Sequence, residues 1–247
     1  SYEGWANIGL TDWKFKDVLP YFRKMESFED GPDNWRGGEG PLQITRAKAK
    51  HKLFDVFIES GSQAGFELTP DHNGFKQEGM HIAQSFISKG VRWSSPKAYL
   101  YPVLHRKNLH LLKNSMVNRV VVENGVATGI EIATVSGSEK VFANKEVIVS
   151  AGAMNSPKLL MLSGIGNPDE LAQHGIAVTA ATPEVGKNLQ NHPGVDIQFS
   201  TKYEHSLTSK VGWYQKPFIG AQWLFTRKGL GASNFFEAGA FLRTRDN

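Results

Sequence analysis

The chain has 247 residues, of which 40% are hydrophobic, so it is long enough to bury a substantial core in one large or two small domains. Its 28 basic and 24 acidic side chains are interleaved, which argues against a nucleic-acid partner. The absence of cysteine excludes disulfides, thiolate metal sites and a cysteine nucleophile, and no run approaches the roughly 18 apolar residues needed to cross a bilayer. We therefore expect a cytoplasmic protein, whose mildly basic surface would permit peripheral contact with the inner membrane.

The first part of the chain predicts helices separated by loops and short strands. Apolar residues recur every three or four positions in two segments, and Pro20 lies early in the first of them. Gly65 is the expected C-terminal glycine of the second segment, while Ser94-Ser95-Pro96 marks the start of a third helix. The predicted helices are 12–29, 53–65 and 92–104, and the predicted strands are 42–44 and 81–87.

The remainder of the chain is richer in predicted strands. Asn124-Gly125 lies between two β-rich runs, which is a strong hairpin signal. The apolar run at 147–150 is typical of a strand inside a parallel sheet, and the next helix is expected to begin near Ser156-Pro157. The predicted strands are 109–112, 116–122, 127–134, 140–142, 147–150, 195–200 and 237–243, with a further helix at 217–227.

The run at 147–150 leads into a corner of small residues, Ser150-Ala151-Gly152-Ala153. A strand, such a corner and a helix form the arrangement with which open α/β sheets present backbone N–H groups to a nucleotide. Tight packing of a strand against a helix also requires small residues, so nucleotide contact and plain packing both remain open. The chain has no GxGxxG motif, and it therefore lacks the pyrophosphate loop of a dinucleotide-binding fold.

Residues 152–166, GAMNSPKLLMLSGIG, resemble the second signature of the glucose–methanol–choline (GMC) family of flavin-dependent alcohol oxidoreductases. The resemblance covers essentially all of the chain and is strongest to the bacterial choline-dehydrogenase branch of these FAD-dependent alcohol dehydrogenases. The other segments that carry it are, in order, DWKFKDVLPYFRKMESFED, GGEGPLQIT, NGFKQEG, GVRWSSPKAYLYP, RKNLHLL, VGKNLQNHPG and GASNFFEAGAFLR.

The resemblance implies an α/β fold that contains part of a FAD-binding βαβ domain and part of an antiparallel-sheet substrate domain. The expected divisions are a bridging segment of helices and loops at 1–106, a FAD-binding portion at 107–192 and a substrate-binding portion at 193–247. Family members carry GxGxxG before the region that matches this chain and the catalytic histidine after it. We therefore expect a central fragment, incomplete at both ends, that contains no catalytic residue and neither retains FAD tightly nor turns over alone.

The resemblance also implies which residues contact the cofactor. The strand that contains Val117 would run past the adenine of FAD, and the Val117 backbone would hydrogen-bond to the amino edge of the base. The corner formed by Ser150, Ala151 and Gly152 would lie against the adenosine half of the cofactor. An ordinary core strand remains the alternative interpretation for the segment around Val117.

Two positions in the NHPG segment bear on the substrate. By resemblance to choline-oxidising members, His192 lies at the substrate cavity as a neighbour of the reacting group, although a structural histidine is the alternative. Asn191 precedes it where the family usually has aspartate. Gly194 stands where choline-oxidising relatives tend to carry a glutamate that offsets the trimethylammonium charge. The other seven histidines show no metal-ligand spacing, so no metal site is expected.

Phe235 and Phe236 match a site where those relatives place aromatic residues, whose faces can hold a quaternary ammonium. Glu237 is a second carboxylate candidate for the substrate cavity, although the EAGAF stretch is widespread in the family and favours a structural role. Strand alternation would place Asp196 on the same side as Gly194. Without the glutamate, a cation loses its strongest charge partner.

We therefore expect FAD-dependent oxidation of an uncharged primary alcohol to the aldehyde by hydride transfer to flavin. Choline dehydrogenation, from choline to betaine aldehyde, is the alternative substrate assignment. A non-catalytic binding or scaffold module of the same family, or one half of a split enzyme, are alternatives of a different kind. The electron acceptor (oxygen, a quinone or a carrier) is not identifiable from these residues.

Overall fold

The computed structural model describes residues 2–48, 51–200 and 210–245. It divides into two units, the first formed by Ser1–Leu109 with Phe199–Asn247 and the second by His110–Gln198. The expected functional divisions at 106 and 192 stay a prediction, and residues 201–209 of the last one lie outside the described residues. No helix within the described ranges is long and apolar enough to cross a membrane.

Three helices open the first unit: α1 (Tyr2–Asn7), α2 (Phe15–Met25) and α3 (Lys52–Gln63), with a 3₁₀ turn at Thr11–Trp13 between the first two. Gly65 follows α3 with φ +88°, as its predicted capping role requires. The helix predicted at 12–29 ends early, at Met25, because Glu26–Phe28 forms strand β1 and pairs with a neighbouring strand. Periodicity alone does not reveal that non-local partner.

The strands of the first unit are short. They are β2 (Leu42–Arg46), β3 (Gly79–Ile82), β4 (Gln84–Ser85), β5 (Ile87–Ser88) and β6 (Val91–Arg92). Strand β2 lies between β1, which is parallel to it, and β4, which is antiparallel. Strand β3 pairs with a strand from the end of the unit, Ala238–Phe241, and α3 packs on this pair with Gly61 against the buried Met80.

The helix predicted at 92–104 forms a different structure. Pro96–Leu100 is a π-helical turn and Tyr101–Val103 a 3₁₀ turn. Pro102 has no backbone N–H to continue an α-helix, which accounts for the change to a tighter turn. The helix predicted at 217–227 is present and begins and ends one residue earlier, at Lys216–Thr226. A 3₁₀ turn at Leu230–Ala232 follows it.

The second unit is built on an antiparallel meander of three strands, β7 (Val117–Glu123), β8 (Val126–Thr134) and β9 (Gly137–Phe142). The predicted Asn-Gly hairpin joins the first two, with φ +52° at Asn124 and +79° at Gly125. Buried side chains on this sheet are Val120, Val121 and Ile132.

Helix α4 (Gly152–Leu162) packs on β7. It begins at Gly152, four residues before the predicted start, so Pro157 lies inside it. After it come β10 (Ile165–Gly166), α5 (Pro168–Gln173) and β11 (Ala180–Ala181), and β10 pairs with β11 in parallel. Helix α6 (Lys216–Thr226) and the final strand β12 (Ala238–Phe241) belong to the first unit.

Three predicted strands, 109–112, 147–150 and 195–200, are not formed: these residues have no regular secondary structure. A strand exists only where a neighbour accepts and donates its hydrogen bonds, and no described residue pairs with these segments. Ile148, predicted to be buried, is 76% exposed. The expected mixed α/β class is nevertheless confirmed, with small sheets in both units.

Candidate functional site

The corner predicted to contact a nucleotide lies at the start of α4. Ser150, Ala151 and Gly152 are exposed, and Gly152 has φ +91°, a left-handed conformation that glycine adopts without strain. No side chain caps this end of the helix; the Ala151 N–H donates to Ser156 Oγ at 3.0 Å. The first-turn N–H groups of the helix therefore have no side-chain cap, as a helix start that receives an anion or a hydroxyl requires, and contact with the adenosine half of FAD stays a prediction.

Val117 is the first residue of β7, which is an edge strand of the meander. It lies opposite Ile132, and the pairing register shifts between Val117 and Arg119. Such an irregularity leaves main-chain groups outside the regular ladder. A strand end of this kind suits the backbone contact with adenine that the sequence implies, and that contact stays a prediction.

Ser163, at the end of α4, joins that helix to β7. Its Oγ accepts a hydrogen bond from the Val120 N–H at 2.8 Å and donates to the Leu159 carbonyl at 2.6 Å, in a buried position. One hydroxyl therefore satisfies an amide of the sheet and a carbonyl of the helix. Sequence analysis did not single out Ser163, because its spacing in SGIG carries no sign of a partner 43 residues away.

His192 and Gly194 lie in an exposed stretch of the second unit without helix or strand. The His192 N–H donates to Asn191 Oδ1 at 2.9 Å. A Cβ placed on Gly194 would meet no atom within 4 Å. A glutamate would therefore be accommodated there, and its absence changes the charge of the segment without relieving a clash.

Glu237, in contrast, is buried, 5% exposed, in the first unit just before β12 (Ala238–Phe241). Its carboxylate accepts a hydrogen bond from Ser233 Oγ, and its backbone carbonyl accepts one from the Ala83 N–H at 3.0 Å. Phe235, with φ +64°, and Phe236 are both exposed in the same turn. The structure thus brings Phe235, Phe236 and Glu237 together in one turn, with the two rings outside the core.

A cavity of about 760 Å³ lies beside Glu237. Among the described residues that line it, Glu237 is the one acidic side chain. Five basic side chains join it: Arg46, Lys48, Lys89, Arg227 and Lys228.

Two of these five charges are offset by neighbours. Asp30 pairs with Arg46 and Glu29 with Lys48, each at 2.6 Å. Lys89, Arg227 and Lys228 form no ion pair with any described residue, although Arg227 stacks over the Trp223 ring at 4.1 Å. The cavity therefore carries a net positive charge.

The first unit also contains a buried cluster of charged side chains, which sequence analysis did not predict. Arg36, only 2% exposed, donates to Glu26 at 2.8 Å, to Asp71 at 2.8 Å and to Gln84 at 2.9 Å. Burial alone lowers the pKa of Arg36, but Glu26 and Asp71 outweigh it and leave that pKa raised. Burial likewise opposes ionisation of Asp71, yet hydrogen bonds from Gln84, the Asn73 amide and Arg36 lower its pKa.

His72 and His81 stack 4.0 Å apart beside this cluster, and the Phe241 ring of β12 lies 5.3 Å from His81 and 6.0 Å from His72. His72 Nδ1 is buried without a hydrogen-bond partner. Burial first, and the neighbouring His81 second, lower the pKa of His72 to about 4. Among described residues, no group of three potential ligands is placed to hold a metal.

Comparison with known proteins places the chain in a family. The sequence model of the GMC oxidoreductase family matches residues 1–194. Oxygen-dependent choline dehydrogenases of Sinorhizobium medicae and Rhizobium rhizogenes are 47% and 48% identical to it over 243 residues. Each alignment covers 98% of this chain and 44% of the relative, so the chain spans less than half the length of these curated relatives.

Solved structures share the fold of this chain. Pyridoxine 4-oxidase from Mesorbium loti is 33% identical, with a TM-score of 0.69 over 74% of this chain and 36% of that one. Formate oxidase from Aspergillus oryzae, solved to study modification of its FAD, is 26% identical, with a TM-score of 0.84 over 96% of this chain and 43% of that one. FAD, the cofactor expected from the sequence, is the cofactor named for formate oxidase, and the chain belongs to the GMC oxidoreductase family.

Proposed function

We propose that the chain is part of a FAD-dependent oxidoreductase that oxidises an uncharged primary alcohol to the aldehyde. The family and the relatives support the oxidoreductase activity. The observation that carries the choice of substrate is the net positive lining of the cavity beside Glu237, together with Gly194 in place of a carboxylate. An excess of basic groups around a site repels a substrate that carries a permanent positive charge. An uncharged alcohol does not experience this repulsion.

In this proposal the second unit supplies contacts to the cofactor, and none of its residues takes part in bond breaking. The first turn of α4, at Ser150, Ala151 and Gly152, would receive the adenosine half, and the Val117 backbone would contact the base. The bound flavin supplies the hydride acceptor. In the first unit, Ser233 donates to the buried Glu237 and so fixes the wall of the substrate cavity.

Choline is the second candidate substrate. It is favoured by the names of the relatives at 47% and 48% identity, which are oxygen-dependent choline dehydrogenases. The exposed faces of Phe235 and Phe236 would attract its trimethylammonium group. The carboxylate expected of choline-oxidising relatives is absent from this chain, because that position is Gly194.

The test compares choline with 3,3-dimethyl-1-butanol, its neutral isostere, as substrates of the protein expressed from the complete reading frame. Anaerobic bleaching of the flavin absorbance reports hydride transfer. We expect the neutral alcohol to bleach the flavin faster than choline. Faster bleaching by choline would overturn the substrate assignment, and bleaching by neither of these alcohols nor by benzyl alcohol would favour the non-catalytic module.

Gly194→Glu and Gly194→Gln form a matched pair for the same assay. Both side chains have open space, and only the first restores a negative charge. We expect Gly194→Glu to raise choline turnover relative to Gly194→Gln, and equal turnover in the two variants would contradict a role of charge at this position.

We also propose a cellular location and an electron acceptor for the protein. A cytoplasmic location with peripheral contact at the inner membrane agrees with the mildly basic composition. The names of the relatives favour oxygen over a quinone or a carrier as acceptor. Oxygen uptake with and without an added quinone distinguishes these acceptors.

A further inference from the structure

A second cavity of the first unit is an open one, lined mainly by partly exposed aromatic rings. Its volume is about 480 Å³, and it shares no lining residue with the cavity beside Glu237. Five of its lining residues are aromatic and one is a carboxylate: Tyr2, Trp5, Trp13, Tyr21, Phe22 and Asp12. We call it the aromatic cavity.

Three consecutive elements build the aromatic cavity. Val18, Tyr21, Phe22 and Met25 lie on one stripe of α2, at the i, i+3, i+4 and i+7 positions that share a helix face. Helix α1 and the 3₁₀ turn at Thr11–Trp13 supply the opposite walls.

A local hydrogen bond ties these walls together. The Phe15 N–H at the start of α2 donates to Glu3 Oε1 of α1 at 3.3 Å. Trp13 N–H donates to the Leu10 carbonyl at 3.0 Å, and the Leu10 N–H donates to the Trp5 carbonyl at 3.1 Å. The rings are therefore carried by a backbone with defined turns.

The rings meet at steep angles. Tyr2 and Trp5 are 5.3 Å apart at 87°, Trp5 and Trp13 are 6.0 Å apart at 75°, and Tyr2 and Phe22 are 6.0 Å apart at 63°. In an edge-to-face pair the edge of one ring covers one face of its neighbour, so the other faces remain open and form adjoining walls. Such walls present the electron-rich faces that attract a cation.

Asp12 gives the aromatic cavity its only formally charged side chain among the described lining residues. It is exposed and forms neither a hydrogen bond through its side chain nor an ion pair with any described residue. The cavity therefore combines negative charge, aromatic faces and a wall with few hydrogen-bond acceptors. A primary ammonium would lose its hydration against that wall, while a quaternary ammonium has no N–H group to satisfy.

We propose that the aromatic cavity binds a small quaternary ammonium ion, with the methyl groups against the faces of Trp5 and Trp13 and the charge offset by Asp12. This site is separate from the cavity beside Glu237 and does not depend on the proposed alcohol oxidation. It would bind the cation without transforming it.

The test uses the 247-residue chain labelled with ¹⁵N and titrated with choline or with 3,3-dimethyl-1-butanol. We expect the indole N–H resonances of Trp5 and Trp13 to shift with choline. The indole of Trp93, which donates to the Pro41 carbonyl at 2.7 Å, serves as the internal control, and the indole of Trp223, which donates to the Gly90 carbonyl at 2.6 Å, reports binding at the cavity beside Glu237. Choline should bind about five-fold more tightly than its neutral isostere, or better.

Two variants separate the contributions of charge and ring. Asp12→Asn should weaken choline roughly two- to five-fold and leave the neutral alcohol unchanged. Trp13→Leu keeps an apolar wall and removes one aromatic face, so it should reduce the preference for choline over the isostere. Asp55→Asn, the same change at an exposed position outside the cavity, is the control and should alter neither affinity.

Equal or tighter binding of the neutral alcohol would overturn the proposal and identify the cavity as a plain apolar cleft. Choline-induced shifts confined to indoles other than Trp5 and Trp13 would overturn it as well. Because these results are measured on the wild-type chain, the proposal stays falsifiable even where a variant fails to fold.

Discussion

Arg36 illustrates how one residue can organise a unit. Its guanidinium is almost fully buried and reaches Glu26 of β1, Asp71 in the loop before β3 and Gln84 of β4. It also lies over the Phe28 ring at 3.9 Å. The chain segments that these groups belong to are far apart in sequence, so the ion cluster fixes their relative positions more directly than any short strand does.

Arg36→Met should destabilise the protein by about 3 kcal/mol or more, because it leaves two carboxylates buried without their partner. Urea unfolding followed by circular dichroism measures the change. Arg119→Met removes the exposed ion pair with Glu131 and should cost less than about 1 kcal/mol. Equal losses in the two variants would show that the buried cluster contributes no more than a surface pair.

The free energy of unfolding should depend on pH through His72. The folded pKa, about 4, lies below the ordinary value of 6.5, so the folded state favours the neutral ring. Stability is therefore complete above pH 6.5 and falls as the pH drops from 6.5 towards 4. Asp71, whose pKa is lowered, loses its contribution in a more acidic window, below its ordinary 3.8.

His72→Phe retains a ring beside His81 and removes the titrating group, so it should flatten the profile of unfolding free energy between pH 6.5 and 4. His105→Phe, at an exposed position, is the control and should leave the profile unchanged. A wild-type profile that is already flat in this window would contradict the shift of the His72 pKa.

At the scale of elements, local signals were predictive and non-local pairing was not. Gly65 and the Asn124-Gly125 turn adopt the positive φ values that their residue types predict, so α3 and the first hairpin follow from sequence. The run at 147–150 is as apolar as a buried strand, but hydrophobicity does not specify a partner. The same limit explains β1, where pairing with β2 overrides the helical period of the preceding residues.

Ser163→Ala tests the connection between α4 and β7. It should cost about 1–2 kcal/mol, because the buried Val120 N–H loses its acceptor and no water-exposed route replaces it. Ser138→Ala, on an exposed position of β9, should be nearly neutral. Hydrogen exchange gives the local readout: unchanged protection of the Val120 amide in Ser163→Ala would contradict the link.

At the scale of the whole molecule, the resemblance named site residues that lie in both units. Val117, Ser150–Gly152, His192 and Gly194 belong to the second unit, whereas 235–237 belong to the first. These residues were accessible to sequence analysis because they lie in recognisable segments. Arg36, His72 and Ser163 were not, because burial and hydrogen bonding between distant residues leave no fixed spacing in a single sequence.

The 247-residue chain on its own should not retain stoichiometric FAD. It spans 44% of the length of its curated relatives and has no GxGxxG motif, so the pyrophosphate would find no dedicated loop in it. The exposed, uncapped start of α4 offers only a few N–H groups, and an isolated helix N-terminus contributes on the order of 1 kcal/mol to anion binding. Flavin absorbance per chain after gel filtration measures retention, with the protein from the complete reading frame as the control. One FAD per chain in the 247-residue protein would show that contacts such as those proposed for Val117 and Ser150–Gly152 suffice without a pyrophosphate loop.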